Sequence, residues 1–428
     1  MSGEDPSVAA RPPASPDRRR TLVLAAVCVL GAALWTWALI AVLHRFPLYP
    51  KFEPLSDLGE HLRDAGIVVH GGDPYVLRPT LNDTTPPFTV LVYAPLRLLH
   101  GAVLETVVVL ANLIALAVAL AAATTRIIRR SFLECLALAV VVLAPLTILV
   151  LSQAVWSSLW WGQDQTIMMS LVVIDLLLVP ARWRGLLIGV AAGVLLSPVV
   201  FVVLVARVGW GAVARVAGAL AGTVVVAGVI NLHATTTYWF HLLPSGEAVR
   251  RVFILGGHGT GTVGTPANLS LEGMLARRPF AHHVPLTATW LIMAAVLGIL
   301  TVAVAWVAQG RKLDVTAMVL IGLASAALSP VGWDHHWVWA ALLPFAAVEV
   351  WGASRLLSVA LALAVPVAFI RSYPLTRVVH WPGTLDGVLW SSGPPLVFIV
   401  LVALAAWVVL RPSPIAAVRS SGWIGSSS

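Results

Sequence analysis

This sequence has very little charge. Only 11% of its 428 residues are Asp, Glu, Lys or Arg, against about 25% in a soluble domain. Hydrophobic residues make up 59%, and the mean hydropathy is +0.91. Together these values exclude an ordinary water-soluble globular protein. Cysteine is nearly absent: Cys28 and Cys135 are the only two, each inside an apolar run. That excludes a disulfide framework, and no CxxC or Cys/His spacing points to zinc. Ionisable groups within the apolar runs are few, Glu105, Asp175 and Glu349 being the visible ones. A transporter with a charged path through the bilayer would carry more of them, and no inverted repeat is visible.

What is present is one apolar run after another, most reaching the roughly 17 residues that a spanning helix needs. Spans are predicted at about 21–42, 102–124, 132–152, 165–181, 213–232, 286–308, 313–329, 336–352, 354–370 and 394–411. The fold class is therefore an all-α polytopic membrane protein with about ten spans plus re-entrant segments. Residues 1–20 are rich in Pro, Ser and Arg and read as a disordered cytoplasmic tail. Residues 21–411 form one transmembrane domain, and 412–428 a second polar tail. The first apolar run is too long for a signal-peptide core and lacks a clear cleavage site, so it reads as a retained helix.

The net charge of +8 is gathered in short basic clusters between the runs. By the positive-inside rule, Arg18, Arg19 and Arg20 place the N-terminus in the cytoplasm. Arg126, Arg129 and Arg130, then Arg182 and Arg184, then Arg311 and Lys312, Arg355, Arg411 and Arg419 fall on the same side. This scheme requires 185–206 to turn back. Ser197-Pro198 breaks that segment, which reads as a re-entrant hairpin of the kind tolerated beside a cavity. Loops 43–101, 153–164, 233–285, 330–335 and 371–393 then face outward. They hold most of the remaining Asp, Glu, His and Asn, so chemistry is expected on the external face of a cell membrane.

In the first of these loops, Leu58, Leu62, Ala65 and Val69 recur at helical spacing. They predict a short amphipathic helix at the interface, with Asp57 at its N-cap. Gly71-Gly72-Asp73-Pro74-Tyr75 is a turn by composition, and the apolar stretch Thr89–Leu99 is too short to span. Trp160-Trp161-Gly162-Gln163-Asp164-Gln165 follows, its tryptophans read first as an interfacial belt and second as a sugar-stacking platform. Loop 233–285 contains Glu247, Arg250, Arg251 and the glycine-rich Gly256-Gly257-His258-Gly259-Thr260-Gly261. It lacks the strand–loop–helix setting and the Lys-Ser/Thr of a P-loop, and reads as a loop that orders on substrate. Asn268-Leu269-Ser270 predicts a cap for a helix at 271–276. Last comes Ser329-Pro330-Val331-Gly332-Trp333-Asp334-His335-His336-Trp337. Adjacent helical histidines point about 100° apart, which disfavours a shared metal, while one imidazole suits a phosphate or a sugar hydroxyl.

These stretches occur in a particular order: Asp57-Leu58, Gly72-Asp73-Pro74-Tyr75, Pro86-Pro87-Phe88 leading to Ala94-Pro95-Leu96, Gly162-Gln163, Asn268-x-Ser270-Leu271 and Ser329-Pro330-x-x-Trp333-x-His335-His336-Trp337. Over roughly residues 50–340 the chain resembles the actinobacterial polytopic mannosyltransferases of glycosyltransferase family 87. The resemblance implies a GT-C fold and a polyprenyl-phosphate-mannose donor. It implies a glycolipid acceptor, phosphatidylinositol mannoside or lipomannan in α-1,2 linkage, and an inverting mechanism with Asp57 as catalytic base. His335, His336, Arg63, Arg250, Gln163 and Asn268 are the candidates for binding donor phosphate and sugar. Asp64, Glu60, His61, His258 and Asp334 are secondary candidates. No cofactor or metal is expected, since fixed donors can meet the charge of a leaving lipid monophosphate, and no nucleic-acid partner is expected. The chain departs from the family pattern at Leu195-Leu196-Ser197-Pro198, where the family often has Lys-x-Thr-Pro, and at Leu269, where the family has Gln. The other readings are transfer of arabinofuranose or another polyprenyl-phosphate sugar, and a polytopic lipid or sugar transporter.

Overall fold

The computed structural model describes residues 18–45, 53–76, 84–128, 130–246, 263–265, 267–277, 285–365 and 385–410. Among these residues the regular structure is helical, with no strand. In chain order the helices are α1 (Arg18–Arg45), α2 (Ser56–Val69), α3 (Pro87–Tyr93), α4 (Gly101–Ile128), α5 (Phe132–Leu151), α6 (Gln153–Trp161), α7 (Gln165–Leu177) and α8 (Leu186–Val194). After them come α9 (Trp210–Ile230), followed by short helical turns at Leu232–Thr236 and Thr237–Leu242, then α10 (Leu271–Ala276), α11 (Leu286–Gly310), α12 (Asp314–Leu328), α13 (Leu343–Val350), α14 (Arg355–Ala364) and α15 (Leu385–Val409). Short 3₁₀ turns fill Ala94–Leu98, Ser197–Phe201 and Asp334–Leu342.

Among the described residues, six helices are long and apolar enough to cross a membrane: α1, α4, α5, α9, α11 and the Ser392–Val409 part of α15. The other four predicted spans meet shorter helices. At 1.5 Å per residue, the 13 residues of α7 reach about 20 Å, short of a hydrocarbon core of about 30 Å. Most of α7 and α12 is buried by neighbouring helices. Their apolar runs therefore answer to burial inside the bundle, which hydropathy does not distinguish from burial in lipid. Arg18, Arg19 and Arg20 are helical, so the arginine triad belongs to α1 rather than to a disordered tail. Pro145 sits inside α5, where π turns on either side absorb it.

Most of the described arginines gather at one end of the bundle. Arg20 pairs with Glu134 at the start of α5. Arg126 donates to the Leu177 carbonyl at 3.2 Å, Arg215 to those of Arg184 and Ala181 at 2.9 Å each, and Arg207 to that of Trp306 at 2.9 Å. Two of the carboxylates within the predicted spans lie here as well. Asp175 accepts from the backbone amides of Gly185 at 2.6 Å and Ile188 at 2.9 Å, at the start of α8. Glu349 accepts from those of Val315 at 3.1 Å and Thr316 at 2.8 Å, at the start of α12. Both cap the unpaired donors of a helix N-terminus.

The segment 185–206 turns back within the bundle. Gly185, Gly189 and Gly193 stand every fourth residue, and a Cβ on each would collide with Ala212, Val216 and Thr223 of α9 in turn. Small residues at this spacing let helix backbones approach closely. The pairing rises in step, so α8 and α9 are parallel, and the chain between them must return to its starting end. Leu195 is extended and ends α8. The Ser197–Phe201 turn and Val202–Val205 make the return, finishing where Gln309 donates to the Leu204 carbonyl at 3.2 Å.

Candidate active site

The opposite end of the bundle carries α2, the α6–α7 turn and the Asp334–Leu342 turn. Gly162 ends α6 at φ +75°, with its own amide on the Leu159 carbonyl and that of Gln163 on Ser158 at 2.8 Å. This is the left-handed cap that glycine adopts without strain. A Cβ at Gly162 would also sit 2.9 Å from that of Leu58. Glycine therefore both turns the chain and lets α2 lie on the turn. The Leu55 amide donates to the Trp160 carbonyl at 2.7 Å and pins the start of α2 there. Trp156 and Trp160 are fully buried beneath it. Trp160 is thus part of the protein interior, not an interfacial belt, because the turn packs it against Trp161 and the helices below.

Asp57 is the second residue of α2, and Leu55, at φ 63°, occupies the N-cap without a side-chain cap bond. The predicted capping role for Asp57 is therefore replaced. Its Oδ2 accepts from Gln163 Nε2 at 2.7 Å. His61 follows one turn along the same face, its ring stacked on Tyr93 at 4.7 Å. His335 and Asp334 also lie close enough to act on the Asp57 charge. Burial pushes the Asp57 carboxyl above the usual carboxylate range, and His335, Gln163 and His61 oppose that push without cancelling it.

His335 is 7% exposed. Its Nδ1 lies 3.4 Å from Asp334 Oδ1, and its backbone amide donates to the same oxygen at 2.8 Å. Burial would raise the Asp334 carboxyl as well, but the hydrogen bonds and charge of His335 outweigh it and hold it below the ordinary range. The two carboxylates are thus driven in opposite directions, the pattern that separates a proton-accepting group from a permanently ionised one. His336 turns edge-on to His335 at 4.8 Å and directs Nδ1 to the Val331 carbonyl at 3.3 Å.

Asn268 is wholly buried, and its hydrogen bonds run to backbone. Its Nδ2 donates to the carbonyls of Val263 at 3.1 Å and Pro330 at 3.0 Å. Its Oδ1 accepts from the amides of Ser270 at 3.2 Å and Gly332 at 2.9 Å. Asn268 therefore knits two loops together and fixes the turn that carries His335, rather than facing a substrate. Ser270 caps α10 as the sequence suggests, through the Gly273 amide at 3.1 Å. Glu272, 8% exposed, was not singled out by the sequence; burial raises its carboxyl.

The structure brings together Asp57, Gln163, His61, Asp334 and His335. Arg63 is not among them. It lies on another face of α2, paired with Glu60 and 3.3 Å from Asp64. Asp64 shares the face of Asp57 two turns away and is fully buried. The hairpin break at Ser197-Pro198 reaches this end too, where Thr89 donates to the Val194 carbonyl. Arg250, His258 and the glycine-rich run lie outside the described residues.

A multi-pass helical membrane protein with a carboxylate, an amide and a paired histidine converging at one end of its bundle has the makings of a group-transfer enzyme. The profile of Glycosyltransferase family 87 matches residues 84–330, more than half of the chain, and the protein belongs to that family. One relative is the polyprenol-phosphate-mannose-dependent alpha-(1-2)-phosphatidylinositol mannoside mannosyltransferase of Mycolicibacterium smegmatis. It is 27% identical over 358 residues, covering 75% of this chain and 76% of the relative. The enzyme of the same description from Mycobacterium tuberculosis is 29% identical over 385 residues, 83% of each chain. A Mycobacterium tuberculosis phosphatidylinositol pentamannoside mannosyltransferase with the same donor and linkage is 28% identical over 448 residues, covering 98% of this chain and 90% of the relative. No solved structure matches the chain. The family match includes Gln163 and Asn268 and stops short of Asp57, Asp334 and His335.

Proposed function

We propose that this protein moves mannose from polyprenyl-phosphate-mannose to a phosphatidylinositol mannoside, in α-1,2 linkage and with inversion. The observation that carries this reading is the Asp57 carboxylate, half-buried, held at one oxygen by Gln163 and facing His335. The donor and acceptor classes follow those of the mycobacterial relatives.

In a single displacement the acceptor hydroxyl loses its proton as it attacks the anomeric carbon, and a carboxylate within hydrogen-bond reach takes it. With Oδ2 engaged by Gln163, Oδ1 is the oxygen that serves. A base whose pKa is raised by burial binds that proton more firmly than an exposed aspartate does. On the other side of the sugar the phosphate departs with growing negative charge. His335 Nδ1 is turned toward Asp334, which leaves Nε2 to donate to that phosphate, in a setting where a fixed donor is worth more than in water. One leaving monophosphate needs no divalent ion when such donors meet its charge. By the positive-inside rule, the arginine-rich end is cytoplasmic and the site opens on the external face of the plasma membrane.

Purified protein given radiolabelled polyprenyl-phosphate-mannose and phosphatidylinositol mannoside tests this reading. Transfer by the wild type and its loss in Asp57→Asn are expected, with chelators without effect. Wild-type rates in Asp57→Asn would end the assignment of the base. Transfer of arabinofuranose but not mannose would keep the chemistry and change the sugar.

A further inference from the structure

On the side of α2 away from Asp57 lies a groove of about 770 Å³ between α2 and the start of α4. At 100° per residue, Arg63, Gly66 and His70 stand roughly opposite Asp57, so this groove is separate from the active site. Gly66 is bare because Arg97 covers it: a Cβ there would lie 2.8 Å from the guanidinium carbon. The charge of Arg63 is answered by Glu60 and Asp64. Arg97 is exposed and has no carboxylate partner among the described residues. His70 and His100 flank it, each with Nδ1 held by a backbone carbonyl, that of Gly66 at 2.6 Å and that of Leu99 at 2.7 Å. A carbonyl only accepts, so each Nδ1 donates and Nε2 is the atom left for a ligand. The rest of the lining is apolar, with Leu62, Ile67 and Leu104 prominent. From the groove an apolar stripe descends the spanning helix α4: Val103, Val107 and Ile114 are 57%, 37% and 44% exposed.

A basic recess at the end of a spanning helix, continuous with an exposed apolar stripe, matches a molecule with an anionic head and hydrocarbon tails. We propose that this groove binds the phosphodiester of an anionic membrane glycerophospholipid, with Arg97 on the phosphate and the acyl chains along α4. Binding there braces the back of the helix whose front presents Asp57. The inference rests on the membrane-spanning fold and not on the sugar-transfer reading.

The test uses the purified full chain in neutral detergent, with lipid retention read by native mass spectrometry and thermal unfolding recorded alongside. The wild type is titrated with phosphatidylglycerol, phosphatidylcholine and inorganic phosphate. Saturable binding of phosphatidylglycerol is expected, with a rise in unfolding temperature, weaker binding of phosphatidylcholine and no displacement by equimolar inorganic phosphate. Arg97→Gln should weaken phosphatidylglycerol binding about fivefold, the worth of one basic residue near an anionic surface. Arg97→Lys should keep most of it, which separates loss of charge from loss of fold. Equal affinity for the two lipids, unchanged binding in Arg97→Gln, or displacement by equimolar inorganic phosphate would each overturn the proposal.

Discussion

At the arginine-rich end of the bundle, Asp175 and Glu349 accept hydrogen bonds from the first amides of α8 and α12. At the other end, Asp57 sits inside the first turn of α2 and caps nothing. It takes its bond from Gln163, a side chain 106 positions away in sequence. Both ends thus place carboxylates at helix starts, where the dipole favours them. The difference is the partner. Backbone amides fix Asp175 and Glu349 as parts of the scaffold, whereas Asp57 is held at one oxygen by a side chain from a separate element. A carboxylate at a helix start is therefore ambiguous until its partners are known.

The strongest way to break this contrast is Asp57→Asn. Transfer should fall by about 10²- to 10⁴-fold, the usual worth of a positioned base. The fold should not suffer. A carboxyl whose folded pKa is raised contributes stability below its unfolded pKa and loses it as pH rises through the folded value. Burial raises this carboxyl, so ionising it costs the fold stability, and the Asn variant should unfold at the same temperature as the wild type or higher. A clear drop would mark Asp57 as scaffold.

Next in size is His335→Gln, expected to lower kcat about 10²-fold by removing a donor to the leaving phosphate. Unchanged kcat would move that donor elsewhere.

Gln163→Ala sharpens the contrast by a different readout. Its hydrogen bond favours the ionised form of Asp57, so its loss raises the carboxyl further. The acid limb of the pH–rate profile should move to higher pH, with transfer at neutral pH falling by about tenfold or less. A limb that stays in place would separate Gln163 from the base.

Asn268→Ala should act through stability, by about 1–3 kcal/mol for buried backbone groups left unpaired, measured by denaturation in detergent. Asp175→Ala, at the other end, should cost about 0.5–2 kcal/mol as a lost cap and leave the kinetic constants of the folded fraction unchanged. A kinetic effect there larger than the stability loss explains would collapse the distinction between the two ends.

Much of this was legible in the residues. The helix at 56–69, the break at Ser197-Pro198 and the cap at Ser270 follow from spacing, proline and a serine before a helix. Other features were not. The Gly185, Gly189 and Gly193 series that packs α8 parallel to α9 is hard to tell from the surrounding small apolar residues by composition, and only its four-residue spacing marks it. Val68 rather than Val69 faces inward in α2, because a periodic pattern alone tolerates a shift of one residue. Arg63 resembled a phosphate ligand by type and proximity in sequence, yet the helix turns it away from Asp57. Asn268 resembled a sugar contact, yet burial commits it to backbone.

Composition by itself determined that this chain lives in a membrane, since so little charge and so much apolar surface have no other stable solvent. The order of the motifs pointed to the family to which the chain belongs. Only the tertiary structure decided what each polar residue does. Asp57, Gln163 and His335 are each more than a hundred positions apart and meet because three parts of the chain come together at one place. Hydrogen-bond geometry and burial are properties of that meeting. They turn a candidate cap into a buried carboxylate with a raised pKa and a candidate ligand, Asn268, into a clamp.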